Sequence, residues 1–199
     1  PHMRFAYSRI HNGPAILSRY PIRSWTYIQS EKGVNGTGYA TFQIDGRLVQ
    51  VVNVHLHPVF FGKAGLRALS GNVEITENIH EHEIESILEN VNLTSPTLIM
   101  GDFNSLPDQV APQTLLKKGL VDAFAAVHQY PDFYKTLFFT MGRVEIGVRI
   151  DYIFHSPHFT DRNARVLRKG GSDHAILIAK LLFSETRTGN NNAPTQEKP

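Results

Sequence analysis

Four short clusters in this chain carry acids, amides or imidazoles at close spacing. NVHLHP holds Asn53, His55 and His57. GDFN holds Asp102 and Asn104. RIDY holds Arg149 and Asp151. GGSDHAILI places Ser172, Asp173 and His174 immediately before an apolar run. In extended chain, residues i and i+2 share a face, so the first three clusters would each aim polar groups in one direction. Singly, each has a plain explanation. An acid at a strand end is more often a turn or cap residue than a catalyst, and a lone histidine is more often structural. Together the clusters recur where apolar runs stop or start. Charged groups there cost burial energy unless they are paired or hold a metal. The set therefore suggests one shared polar site between sheets. Hard oxygen ligands in a chain with no cysteine suit Mg²⁺ or Mn²⁺. A His–Asp pair suits acid–base work near neutral pH. Metal, oriented water and anion donors together describe hydrolysis of a phosphate ester.

The elements that must position these groups read mainly as strands. GPAILSRYPI (13–22) holds a short strand stopped by Pro21. SWTYIQSE (24–31) and GYATFQID (38–45) alternate as strands around the turn-forming GVNGTG, and RLVQVVNVHL (47–56) follows the tight-turn pair Asp45-Gly46. One long helix is expected over 71–92, with Ile84, Ile87, Leu88 and Val91 on one stripe. PTLIMG (96–101) is a fully apolar strand, and APQTLLKKG (111–119) a short helix closed by Gly119. KTLFFT (135–140), GVRIDYIFHS (147–156) and HAILIAKLLF (174–183) complete the strands. Hairpins mixed with crossovers suggest two packed sheets with helices outside.

The bulk numbers fit this. The 199 residues are enough for one domain with a real core, with 41% hydrophobic and 19% charged residues. A net charge of +2 neither opposes nor demands a polyanionic partner. Disulfides and thiolate metal sites are excluded. No apolar run reaches the length of a membrane span, so stable membrane insertion is not expected, and the compartment is left open. PHM (1–3) has the look of a cloning scar, and 184–199, polar and rich in Gly, Asn and Pro, reads as a disordered tail. Between them, 4–183 reads as one domain. HEHEIE (80–85) reads as a solvated helical face, because His80 and His82 are two apart. Phe60 and Phe61 read as packing under their loop.

NVHLHP, LIMGDFN, RIDYIF and SDHAIL, in this order, resemble the endonuclease/exonuclease/phosphatase superfamily, and GPAILSRYPI fits its pattern too. The likeness runs from about residue 13 to 183. It implies a four-layer α/β sandwich, two packed and mostly antiparallel sheets flanked by helices, with the site at the top of the facing sheets. It implies that Asp102 orients or deprotonates the attacking water, and that Asn104 binds the scissile phosphate and fixes Asp102. His55 would stabilise charge on the phosphate. Asp173 would approach the metal, Mg²⁺ or Mn²⁺, with Asp102 and Asn104 as further ligands. His174 would act on the phosphate, oriented by Asp151. Arg67 lies near where relatives carry an arginine that meets phosphate.

Relatives begin with a strand–helix–strand unit, on the order of 30 residues or more, whose glutamate is the principal metal carboxylate, and nothing here matches it. The expectation is an N-terminally truncated version: a fragment of a longer protein, a natively short one in which Asp102, Asn104 and Asp173 hold the metal alone, or one whose sheets another chain completes. The expected activity is a divalent-metal-dependent phosphodiesterase, a nuclease with DNA as its nucleic-acid substrate. The alternatives are a phospholipid or inositol-phosphate hydrolase, against which GDFN rather than GDLN counts, and a catalytically impaired phosphate-binding remnant.

Overall fold

The computed structural model describes residues 1–7, 12–58 and 69–185. Strands β1 (His2–Tyr7) and β2 (Asn12–Ser18) pair as an antiparallel ribbon. Strands β3 (Ile22–Gln29), β4 (Gly36–Ile44) and β5 (Arg47–His55) follow in antiparallel succession. Asp45 and Gly46 both have positive φ, 49° and 75°, the backbone that a two-residue hairpin turn requires. Helix α1 (Leu69–Glu89) then leads to β6 (Thr97–Asp102), which lies parallel to β5. Parallel neighbours cannot be joined by a hairpin, so a crossover element is obligatory there. Next come α2 (Val110–Lys117), β7 (Val121–Asp122), the hairpin of β8 (Leu137–Met141) and β9 (Val144–Val148), and β10 (Asp151–His155). Strands β11 (Phe159–Leu167) and β12 (Ile176–Phe183) form the last ribbon. The main sheet has the order β3-β4-β5-β6-β10-β7.

The pleat sorts this sheet into two faces. Val52, Val54 and Leu56, Ile99 and Phe103, and Tyr152 and Phe154 turn to one side. There they pack with Ile84 and Ile87 of α1 and Ala111 and Leu115 of α2 as a single buried cluster. Phe103 sits edge-on to Tyr152 at 5.2 Å between ring centres. The other face carries Val51, Asn53, Met100, Asp151 and Ile153. The ribbons β1–β2 and β11–β12 lie over it, and between β2 and β12 a cleft of about 480 Å³ stays open.

The expected α/β class, with mixed sheets and few helices, is what the chain adopts. The second strand layer differs from the expectation of a continuous sheet. Among the described residues, β2 pairs only with β1 and β12 only with β11, so that layer is made of separate ribbons. The strand expected over 147–156 is broken at Arg149 and Ile150. The backbone N–H groups of Ile150 and Asp151 both donate to the Thr136 hydroxyl, each at 3.0 Å, which bends the chain between β9 and β10. His2 and Met3, set aside as a scar in the sequence, extend β1 opposite Ser18 and Leu17. Ser184 is held by its N–H to the His158 carbonyl at 2.8 Å; the rest of the expected tail, from 186, lies outside the described residues.

One glycine fixes the approach of the two central strands. Gly101 has φ +138°, and a Cβ there would fall 2.0 Å from the Val54 carbonyl oxygen. A side chain at this position must push β5 away from β6. Gly101→Ala should therefore lower unfolding stability by about 2 kcal/mol or more. Urea denaturation checks this, and an unchanged midpoint would contradict it.

Candidate active site

Three neighbouring strand ends meet at one level. In the register of the sheet, His55 at the end of β5 lies beside Asp102 at the end of β6, and Asp102 lies opposite Asp151 at the start of β10. The His55 Nε2 stands 3.7 Å from the Asp102 Oδ2. His174 closes the group from the segment before β12. Its Nδ1 is 2.9 Å from the Asp151 Oδ2, and its Nε2 is 3.9 Å from the Asp102 Oδ2. That segment is held in place by backbone bonds. Phe138 N–H donates to the Asp173 carbonyl at 2.9 Å, and Ala175 N–H donates to the Thr136 carbonyl at 2.6 Å.

The GDFN loop aims Asp102. Phe103 is fully buried and its N–H donates to the Ile150 carbonyl at 2.8 Å, which anchors the chain just past the acid. Asn104 then takes a left-handed backbone, φ 46°, a conformation that asparagine tolerates better than most residues. Its N–H donates to Asp102 Oδ1 at 2.8 Å and its amide to Asp102 Oδ2 at 3.3 Å. The same amide donates to the Leu56 carbonyl at 3.0 Å, so one side chain ties the GDFN loop to the end of β5.

The electrostatics follow from placing two carboxylates side by side. Burial, and then the negative charge of Asp151, push the Asp102 carboxyl up to about 6. The hydrogen bond that His174 donates to Asp151, and then the surrounding acids, push the His174 imidazole up to about 9 in spite of its partial burial. At neutral pH this gives an ionised, proton-hungry Asp102 beside an imidazolium. Asp102, Asp151 and His174 each offer a ligand atom within 4.8 Å of the others. The two carboxylate oxygens suit a hard divalent cation, which the His174 ring could join only once it has lost its proton.

The sequence model of the endonuclease/exonuclease/phosphatase family matches residues 1–174. The chain belongs to that family. Members of the family are hydrolases of phosphate esters and depend on divalent metals, and the three ligand atoms above form this chain's candidate metal group. No curated protein matches the sequence. Among solved structures, the chain is similar to a family protein from Leptotrichia buccalis, with 18% identity, TM-score 0.68, and coverage of 92% of this chain and 72% of the other. It is similar to the 3′ phosphatase NExo from Neisseria bound to product DNA hairpin, with 22% identity, TM-score 0.68 and coverage of 92% and 79%. It is also similar to an AP endonuclease from Archaeoglobus fulgidus, with 19% identity, TM-score 0.63 and coverage of 92% and 79%. At such identities the likeness is one of fold.

The structure brings His55, Asp102, Asn104, Asp151 and His174 together. Asp173 is next to them but exposed. Its carboxylate lies outside the three-residue ligand group, and its charge adds a smaller upward push to Asp102 and His174. Asp151, expected only to orient His174, also faces Asp102 and is itself a candidate ligand. Arg67, Phe60 and Phe61 lie outside the described residues. Arg149 does not join Asp151 at the site. It is buried against Asp122 at 2.7 Å and reaches Asp132 at 3.1 Å, a structural tie beneath the loop that carries Thr136. The solvated-face reading of HEHEIE fails for two of its members: His80 is fully buried and Glu83 nearly so, whereas His82 is exposed as expected.

Because the His174 pKa is raised above its ordinary 6.5, the stability it confers is fully present below 6.5 and is lost as pH rises through about 9. Burying Asp102 acts as the protonated form's ally: stability falls as pH rises from 3.8 through about 6. In metal-free protein, the His174 ring should titrate near 9 by NMR and fall towards 6.5 in Asp151→Asn. A wild-type midpoint at the ordinary value would contradict the pairing.

Proposed function

We propose that the chain is a divalent-metal-dependent phosphodiesterase, a nuclease acting on DNA. The observation that carries this reading is the register that sets His55, Asp102 and Asp151 side by side, with His174 bridging the two acids. The DNA-acting enzymes among the similar folds, a 3′ phosphatase and an AP endonuclease, support the choice of nucleic acid over lipid. The mild net charge of +2 is compatible with a polyanion.

The residues divide the work as follows. Asp102, with a carboxyl poised near neutrality, takes a proton from the attacking water. Asn104 holds both Asp102 oxygens, so the acid keeps one orientation. The imidazolium of His174, kept charged by Asp151, donates to a non-bridging phosphate oxygen and offsets the charge that builds there. His55, whose Nε2 stands 3.7 Å from the Asp102 Oδ2, contacts the same phosphate. The water oxygen bonds to phosphorus, the ester P–O bond breaks, and the leaving oxygen takes up a proton. A divalent ion, Mg²⁺ or Mn²⁺, held by Asp102 and Asp151 with Asp173 and Asn104 close by, would supply positive charge for the phosphate.

The cleft between β2 and β12 bears on partners. Ile16, Leu17, Val51, Met100, Ile153 and Leu177 line it, and the ribbon edges that open onto it have no strand partner among the described residues. Free edges beside an apolar floor invite further strands. In this reading a second copy of the chain supplies them, and sedimentation should show a dimer or larger species; a monomer at micromolar concentration would count against it. Among the described residues, no helix is long and apolar enough to cross a membrane.

The activity test uses plasmid DNA, single-stranded DNA, RNA, sphingomyelin and an inositol phosphate, each with Mg²⁺, Mn²⁺ or EDTA. DNA should be cleaved with metal and spared with EDTA. His174→Ala should lose about 10²-fold or more. Cleavage that survives in the variant would point to a contaminant and sink the proposal. Preferential turnover of lipid or inositol phosphate would replace DNA as substrate, and no turnover at all would favour a phosphate-binding remnant.

A further inference from the structure

The β5–β6 ladder ends at the pair His55 and Asp102, yet the chain beyond His55 does not loosen at once. Leu56 N–H donates to the Asp102 carbonyl at 3.0 Å. The Leu56 carbonyl accepts from the Asn104 amide at 3.0 Å. His57 N–H donates to Glu83 Oε2 at 2.9 Å, and the His57 carbonyl accepts from His80 Nε2 at 2.7 Å. All four backbone groups that follow the His55 carbonyl are thus engaged, the last two by side chains of α1.

The placement of those two side chains is unusual for a helix. The buried stripe of α1 runs through Thr76, His80, Glu83, Ile84 and Ile87. Its second half is apolar and packs on the core. Its first half, level with the site, is polar. Burying a carboxylate and an imidazole costs free energy that leucines there would not. Burial raises the Glu83 carboxyl and lowers the His80 imidazole from their ordinary values. Room has been made for Glu83, because a Cβ on Gly33 would meet its Oε1 at 1.9 Å. His80, donating through Nε2, leaves its buried Nδ1 without a hydrogen bond, 3.9 Å from Glu77 Oε1. Glu77 in turn accepts from the Val110 N–H at 2.8 Å, at the start of α2. The polar stripe therefore braces the chain after β5 and the helix that follows the GDFN loop.

We propose that Glu83 and His80 are positioning residues for His55: as a clamp on both backbone groups of His57, they set where the His55 imidazole stands over Asp102. The clamp rests on the functional reading above for its consequence in turnover, but not for its geometry. Neither side chain touches the reacting atoms.

The test measures hydrolysis of bis(p-nitrophenyl) phosphate with Mn²⁺ alongside histidine-ring NMR spectra. It compares wild type, Glu83→Ala, Glu83→Gln and His80→Gln, with each variant repeated in a His55→Ala background. Glu83→Ala should lower kcat about tenfold or more with little change in KM, and should add nothing further once His55 is gone. Glu83→Gln keeps an acceptor for the His57 N–H, and His80→Gln keeps a donor for its carbonyl, so both should recover most of the loss. The His55 ring signals should move in Glu83→Ala, return in Glu83→Gln, and leave those of His174 in place. Equal losses with and without His55, or an unmoved His55 signal, would overturn the clamp. The spectra need no turnover, so a wild type that hydrolyses nothing defeats the functional reading and leaves the spectra to decide the clamp.

Discussion

Asp102 and Asp151 face each other across two antiparallel strands, and their like charges set the terms for what surrounds them. Two carboxylates so close and half-buried cannot both ionise without compensation. One answer is a side chain: His174 donates to Asp151 and holds its own proton up to about 9. The other is the cation for which the two acids and the imidazole offer ligand atoms. Burial first, and then the Asp151 charge, lift Asp102 to about 6, which is what the proposed mechanism asks of a base near neutral pH.

The fold supports that pair from the helix side. Gly101 lets β5 and β6 close up immediately before Asp102. Buried Phe103 fixes the loop behind it, and Asn104 locks both carboxylate oxygens. Thr136 bends the chain so that β10 begins at Asp151, and the Arg149–Asp122 ion pair holds that bend from below. On α1, the stripe that is apolar at Ile84 and Ile87 turns polar at Glu83 and His80, where it meets the chain after His55. The core and the site are therefore two ends of the same elements, which is why a packing change at Gly101 or Phe103 would be felt by Asp102. The opposite sheet face is less complete, with two ribbons flanking an open cleft.

Much of this was legible in the sequence, and for local reasons. GDFN, RIDY and SDH sit where apolar runs stop or start, so their side chains had to emerge at strand ends. The crossover between β5 and β6 followed from one long amphipathic stretch between two apolar strands. The rest depends on distant partners. The spacing of His80 and His82 hides that His80 and Glu83 share the buried stripe of Ile84 and Ile87. The break at Arg149 needs Thr136 and Asp122, neither of which is a neighbour in sequence. Strand β11, FTDRNARVL, buries only Ala164 fully, so its charged residues hid a strand that exists by pairing with β12. Asp151 as a partner of Asp102, rather than of His174 alone, follows from strand order, which no single motif encodes.

If these strand ends form one cation-binding, phosphate-hydrolysing site, manganese titration of isotopically labelled protein, followed through the histidine ring signals, should reveal it. Mn²⁺ should broaden His174 and His55 first, while His155, at the far end of β10, and His128 stay sharp. Uniform broadening, or broadening that starts at the exposed His82, would contradict a site at Asp102 and Asp151.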